Sequence, residues 1–204
     1  MSTDLIQPAV DNRYDFDVIA RWVSPRERVL DLGCGDGSLL KHLREVRQVE
    51  GYGVELDPPN IVACVRNGVS VLQIDLEHGL EDFEDGQFDH VIMSLSLQAV
   101  RHTERILDEM LRVGVEAVVS FPNFGYWRHR QAILNGRMPV SESLPYQWYD
   151  TPNVRFFTIA DFEALCERRG IVVHERAAFD EGVPVTQEAN FLASVAMYRL
   201  GRRT

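Results

Sequence analysis

Two apolar periods alternate along this chain. Val29, Leu30 and Leu32 form a short continuous run, the mark of a buried strand. The run breaks at Gly33, Gly35 and Gly37, and Leu39, Leu40 and Leu43 then recur at helical spacing among Lys41, His42, Arg44 and Glu45. The same alternation follows. Gly51-Tyr-Gly-Val-Glu-Leu-Asp reads as a second strand, and Asp57-Pro58-Pro59 opens a helix with Ile61, Val62 and Val65 inward, stopped at Asn67-Gly68. Strands at 70–74, 88–94 and 116–121 continue the series, with a helix from His102 or Thr103 carrying Ile106, Leu107, Met110 and Leu111 to Gly114. Tyr14, Phe16, Ile19 and Trp22 mark an amphipathic helix over 11–23, ended by Ser24-Pro25. Thr158 to Asp161 has capping-box spacing ahead of Phe162, Leu165 and Cys166, with Gly170 beyond the helix end. Residues 171–179 and 190–200, separated by Gly182 and Pro184, predict a closing antiparallel hairpin. Strands alternating with helices predict an α/β chain with helices on both faces of a mostly parallel sheet.

The first strand–turn–helix unit carries the chemistry. Glycine accepts backbone angles closed to other residues and lets a ligand approach the main chain, while the helix that follows offers free N–H groups. A dinucleotide fingerprint would place its third glycine at Ser38; here the pattern is Gly33-x-Gly35-x-Gly37 behind Asp31, which disfavours a dinucleotide oxidoreductase. Glu55 ends the second strand at close to the spacing at which such sheets place a carboxylate for ribose hydroxyls, and Asp75 and Leu76 follow the third. Asp31 with the glycines resembles motif I of the Rossmann-like S-adenosylmethionine-dependent methyltransferases. That resemblance implies a cofactor site of Asp31, Gly33, Cys34, Gly35, Gly37, Glu55, Leu56, Asp75, Leu76 and Ser94, in which Asp75 takes the adenine amino group and Leu76 packs on the ring. It also implies seven strands in the order 3-2-1-4-5-7-6, the last inserted antiparallel.

Composition narrows the setting. With 204 residues, 45% of them hydrophobic, the expectation is one methyltransferase-like domain over 1–204. The start Met-Ser-Thr-Asp-Leu-Ile-Gln-Pro lacks the features of a signal peptide and no apolar run reaches membrane-spanning length, so a cytoplasmic protein is expected. Cys34, Cys64 and Cys166 have neither metal-ligand nor disulfide spacing and are read as packing residues; no metal is expected. A net charge of −10 argues against a broad nucleic-acid or membrane footprint, and residues 78–87 read as a solvated acidic loop.

After the fourth strand the chain reads Ser94-Leu95-Ser96-Leu97-Gln98 rather than the Asn-Pro-Pro-Tyr pattern of enzymes that methylate base amines, which leaves small-molecule or protein acceptors. After the fifth, residues 125–157 interleave Tyr126, Trp127, Tyr146, Trp148, Tyr149, Phe156 and Phe157 with Arg128, His129, Arg130, Arg137 and Arg155. An aromatic-rich lid or interface insertion is expected there, against the alternative of an extra layer packed on the sheet. If a methyl group is transferred, the candidate orienting groups are Asn123, Tyr146 and Tyr149, with His129 as base. Tyr14 is weighed as core packing against ligand contact.

Four stretches carry a narrower resemblance: Val-Leu-Asp-Leu-Gly-Cys-Gly-Asp-Gly at 29–37, Val-Ser-Phe-Pro-Asn-Phe-Gly-Tyr-Trp at 119–127, Gly-Arg-Met-Pro-Val at 136–140 and Leu-Pro-Tyr-Gln-Trp-Tyr-Asp-Thr-Pro-Asn at 144–153. Together they resemble the MetW family of methionine biosynthesis proteins over nearly the whole length. The resemblance implies a protein that binds S-adenosylmethionine or S-adenosylhomocysteine and acts with homoserine O-acyltransferase as an accessory or regulatory partner. The alternative is an active methyltransferase.

Overall fold

The computed structural model describes residues 13–203. The N-terminal stretch read for a signal peptide, and residues 11 and 12 of the first expected helix, lie outside the described residues. Among the described residues eight strands form one sheet: β1 Arg28–Leu32, β2 Glu50–Glu55, β3 Ser70–Gln73, β4 Phe88–Ser94, β5 Gly114–Pro122, β6 Ile171–Asp180, β7 Val183–Pro184 and β8 Val195–Arg202. Their order is β3-β2-β1-β4-β5-β8-β6-β7. β1 to β5 are parallel, and β8 inserts antiparallel between β5 and β6. The expected order therefore holds, with one addition. β7 is a two-residue edge strand made where Gly182 turns the chain back on β6.

The helices are α1 Tyr14–Trp22, α2 Ser38–Arg47, α3 Pro58–Arg66, α4 Thr103–Val113, α5 Trp127–Leu134, α6 Ile159–Arg169 and the single turn α7 Ala189–Leu192. Two buried clusters, one on each side of the sheet, hold them. Phe16, Ile19, Leu40 and Leu43 pack with Val29 and Ile92 on one side; Ile106, Leu107, Met110 and Phe162 pack with Leu30, Val91 and Phe121 on the other. Alternating strand side chains feed the two clusters, as the period of two requires. α6 starts on the predicted box: Thr158 Oγ1 accepts from Asp161 N at 3.1 Å, and Thr158 N donates to Asp161 Oδ2 at 3.0 Å.

Three expectations need correction. In α3 the buried side chain is Cys64, while Val62 and Val65 face outward, because the helix turns its narrow contact toward the glycine loop. Residues 190–192 are helical rather than extended, held by the side chain of Asn123 through the carbonyls of Ala189, Asn190 and Ala193. The acidic stretch 78–87 is anchored at Leu80 and Phe83, both buried, and Arg112 stitches it to α4: its guanidinium donates to the carbonyls of Leu80 and Phe83 at 2.9 Å each and to Glu109 and Asp85. Among the described residues no helix is long and apolar enough to cross a membrane.

Residues 125–157 divide into a helix and a wrapped arm. α5 opens the segment, and Tyr126, Leu144 and Asn153 are buried, so part of it is a packed layer. Trp148 and Tyr149 stand about 70% exposed, 71% and 70%, against each other at 5.6 Å between ring centroids.

Candidate functional site

The site grows from the way β1 ends. Gly33 N and Cys34 N both donate to Val54 O, at 2.8 and 3.1 Å, which folds the glycine turn back onto β2. Gly35 has φ +56°, a region that L side chains rarely adopt, and a Cβ built there would meet nothing within 4 Å. That face of the turn is open. From below, Cys64 Sγ donates to Gly35 O at 3.0 Å, and Cys34 Sγ lies 3.6 Å from Cys64 Sγ. Gly53 admits Cys34 between the strands, since a Cβ at that position would collide with its sulfur. The cysteines pack the turn; both thiols are pushed up by burial, and all three cysteines are free.

Carboxylates stand at the carboxyl ends of adjacent strands. Asp31 pairs in register with Gly53, Glu55 is the last residue of β2, and Asp75 lies two residues beyond Gln73, which pairs with Glu55. Glu55 is bound to the turn: Oε2 accepts from Gly35 N at 2.9 Å, and Oε1 accepts from Leu56 N at 2.7 Å and Asp57 N at 2.9 Å. A carboxylate has about four acceptor positions, so Oε2 keeps capacity for a hydroxyl. Asp75 caps the short 3-10 turn Leu76–His78 through Glu77 N at 2.9 Å. Its other oxygen lies 3.6 Å from His78 Nδ1. Leu76 packs on the core beside this cap, and Leu56 is exposed.

Asp31 differs from the other two. It is 2% exposed, and burial raises its pKa to about 7, with Glu55 adding to the rise and Arg13 opposing it. Near neutrality it is poised between neutral and charged. On the far side of β1, Ser94 Oγ is 3.1 Å from Ser120 Oγ, and Ser96 Oγ donates to Leu32 O at 3.1 Å, tying the loop after β4 to the glycine turn.

Beside this cradle lies a cavity of about 260 Å³ lined in part by Arg13, Tyr14, Leu95, Tyr126, His129 and Ser141. Leu95, which follows Ser94 directly, connects it to the cradle. His129 is buried; its Nδ1 lies 3.0 Å from Asn123 O and its Nε2 2.8 Å from Ser141 Oγ. A carbonyl only accepts, so Nδ1 carries the proton and Nε2 accepts from the serine hydroxyl. Burial pushes the His129 pKa down and keeps the ring neutral.

The other acceptor-orienting candidates sit elsewhere. Asn123 is fully buried, and its amide is consumed by backbone: Nδ2 donates to Ala193 O at 2.8 Å and to Asn190 O at 3.2 Å, and Oδ1 accepts from Gly125 N and Ile159 N. It is a joint of the fold. Tyr149 is solvent-exposed, and Tyr146 lines a small crevice with Trp148; neither borders the cavity beside the cradle. Arg13, Ser96 and Ser141 were not candidates from the sequence, because no local motif marks them. Tyr14 does reach the cavity, and it also packs on Phe179 at 4.7 Å between centroids. Among the described residues no group of His, Cys, Asp or Glu is arranged to hold a metal ion.

Sheet order, the inserted antiparallel strand and helices on both faces define a Rossmann-like methyltransferase fold. It is shared by the S-adenosylmethionine-dependent methyltransferase of Mesorhizobium loti, at 18% identity and TM-score 0.71 over 94% of this chain and 99% of that one. A methyltransferase from Thermotoga maritima matches at 20% identity and TM-score 0.66, over 93% and 89%. In sequence, the family described as methionine biosynthesis protein MetW matches residues 13–200. The bifunctional methionine biosynthesis protein MetXA/MetW of Rhodopirellula baltica is 39% identical over 176 residues, 81% of this chain, and the match spans 28% of that longer protein. The chain belongs to the MetW family of methionine biosynthesis proteins.

Proposed function

We propose that this protein binds S-adenosylmethionine or S-adenosylhomocysteine at the carboxyl edge of its sheet and serves methionine biosynthesis as an accessory partner of homoserine O-acyltransferase. The observation that carries the binding is the row Asp31, Glu55 and Asp75 on three adjoining strand ends around a turn whose Gly35 face is open. Glu55 Oε2 would take ribose hydroxyls, Asp75 the adenine amino group, and Asp31 the cationic methionine end. The partnership is supported by the Rhodopirellula baltica relative, whose name joins MetXA to MetW in a single chain, because two functions fused in one organism are often associated in another. Methionine is the precursor of the cofactor, so a protein that reads adenosyl ligands in this pathway has a physical basis for regulation.

Two measurements decide this reading. Calorimetric titration with both adenosyl compounds is expected to show saturable binding that Glu55→Gln weakens. Co-purification with the acyltransferase, and acylation assayed with and without this protein, are expected to show association and a changed rate; neither association nor effect would overturn the accessory role.

A second reading has its own observation, the 260 Å³ cavity beside the cradle with neutral His129 in its wall. Displacement at a sulfonium methyl needs an acceptor aligned at about 3 Å and little acid–base help. Formation of S-adenosylhomocysteine with a panel of small molecules or proteins would establish transfer.

A further inference from the structure

A concavity rich in arginine lies away from the cradle. Between α4 and α6 the structure opens a groove of about 560 Å³ with Phe157, Phe162 and Leu165 among its lining. Arginines surround that apolar floor. Arg101 and Arg168 are exposed and make no ion pair among the described residues, and Arg155 spends its guanidinium on backbone carbonyls, Val154 O at 3.2 Å and Arg101 O at 2.5 Å. The two acids of the groove are engaged elsewhere: Glu104 pairs with Arg169 at 3.5 Å, and Asp161 caps α6. On a chain of net charge −10, three cations without a carboxylate partner lining one partly apolar groove run against the average surface.

The groove also belongs to a longer aromatic surface. Phe156, half-exposed, lines both this groove and the crevice that holds Tyr146 and Trp148, and Arg155 N and Val154 N donate to Gln98 O, which fixes that stretch beside the loop after β4. Exposed aromatics with arginines are the side chains that dominate protein interfaces, and a carboxylate paired with arginine there gains from bidentate geometry. We propose that this groove docks an acidic segment of a partner protein, anchored by one aromatic or aliphatic side chain over Phe156 and Phe157 with its carboxylates on Arg101 and Arg168, beside the charge of Arg155. The inference deepens the association read above and rests on it for the partner's identity. The chemistry of the segment comes from the groove.

The test uses the full chain and three fluorescein-labelled peptides: one with a central Phe-Leu pair flanked by glutamates, one with the glutamates replaced by lysines, and one with Phe-Leu replaced by Ala-Ala. Anisotropy is expected to show saturable binding of the first, with at least tenfold weaker binding of the other two. Arg101→Glu and Arg168→Glu, whose side chains make no hydrogen bond or ion pair among the described residues, are expected to weaken it at least tenfold each with unchanged melting temperature, while Arg137→Glu, outside the groove, leaves it unchanged. Equal binding of the lysine peptide, or no loss in either arginine variant, overturns the proposal. In parallel, the glutamate peptide should displace co-purified acyltransferase. Peptide binding without any acyltransferase association would overturn the partner's identity and leave the groove standing; acyltransferase association that Arg101→Glu and Arg168→Glu do not weaken would overturn the groove alone.

Discussion

Glu55→Gln separates a ligand role from a structural one, because the carboxylate already serves the chain. Its two oxygens accept three backbone N–H groups, from Gly35, Leu56 and Asp57. Glutamine keeps the shape but has a single acceptor oxygen. With that oxygen toward Leu56 and Asp57, the amide nitrogen faces Gly35 N–H, donor against donor, and one bond to a charged acceptor is lost. Such bonds contribute about 1.5–3 kcal/mol, discounted here because Glu55 is half-buried, so a stability loss of roughly 1 kcal/mol is expected. In a chain of this size that lowers the melting temperature by about 2–4 °C.

Binding of S-adenosylhomocysteine should suffer more. The ribose hydroxyls lose a charged acceptor and meet an amide that also has to serve the turn, a loss of about 1.5–3 kcal/mol, or roughly 10- to 150-fold in Kd. Calorimetry and a melting scan on the same samples read both effects. A melting shift with unchanged affinity would refute the reasoning: Glu55 would then be a brace for the glycine turn and nothing more. An affinity loss in proportion to the melting shift would equally count against a direct grip on the sugar.

Asp31, with its pKa raised to about 7 in the fold against about 3.9 when exposed, holds a proton that the unfolded chain releases, so its contribution to stability is complete below about pH 4 and is lost as pH rises through 7. Asp31→Asn should therefore gain stability relative to the native chain between pH 5 and 8, by a few kcal/mol at most, as read from denaturant melts at each pH. S-adenosylmethionine, cationic at its sulfonium and amino group, should bind more tightly as pH rises to 7 and level off above; Asp31→Asn flattens that profile, and an unchanged profile would refute the assignment. Asn123→Ala removes one side chain from five backbone groups and should cost about 3–5 kcal/mol, a fall of roughly 6–20 °C in melting temperature, with residual ligand affinity intact at low temperature. Gly53→Ala pushes Cβ into the Cys34 side chain and is expected to cost about 1–3 kcal/mol by urea titration.

The regular part of the fold was legible because its signals are local. A buried parallel strand reads as an unbroken apolar run, and the box at Thr158 and Asp161 is complete within four residues. Elements whose shape is set from a distance were not. Residues 190–192 look extended by composition and become a helical turn because Asn123, some seventy positions earlier, collects their carbonyls. α5 was hidden for a similar reason. It buries only His129, and its apolar Ile133 and Leu134 face outward, so no hydrophobic face announces it. In α3 the apolar spacing did point somewhere, but the contact that fixes its rotation is a thiol on a glycine carbonyl, which hydrophobic periodicity does not weigh.

The site divides along the same line. Asp31, Glu55 and Asp75 could be found because each lies at or just beyond the carboxyl end of a strand and parallel strands end on a common edge. What that placement does not carry is how each carboxylate is already occupied. Glu55 is tied to the glycine turn by Gly35 N–H, a group of the kind that a phosphate-binding loop would offer to its ligand, and to the end of its own strand by Leu56 and Asp57 N–H, so this turn presents a carboxylate where other nucleotide folds present amides. Such an edge favours a ligand with hydroxyls and positive charge over one with phosphates. The buried Asp31 adds to that preference once ionised. The same physics that selects against a dinucleotide in the glycine spacing thus recurs, independently, in the hydrogen bonds of the folded turn, and it directs the choice of ligands for the first titration toward adenosyl sulfonium and thioether compounds.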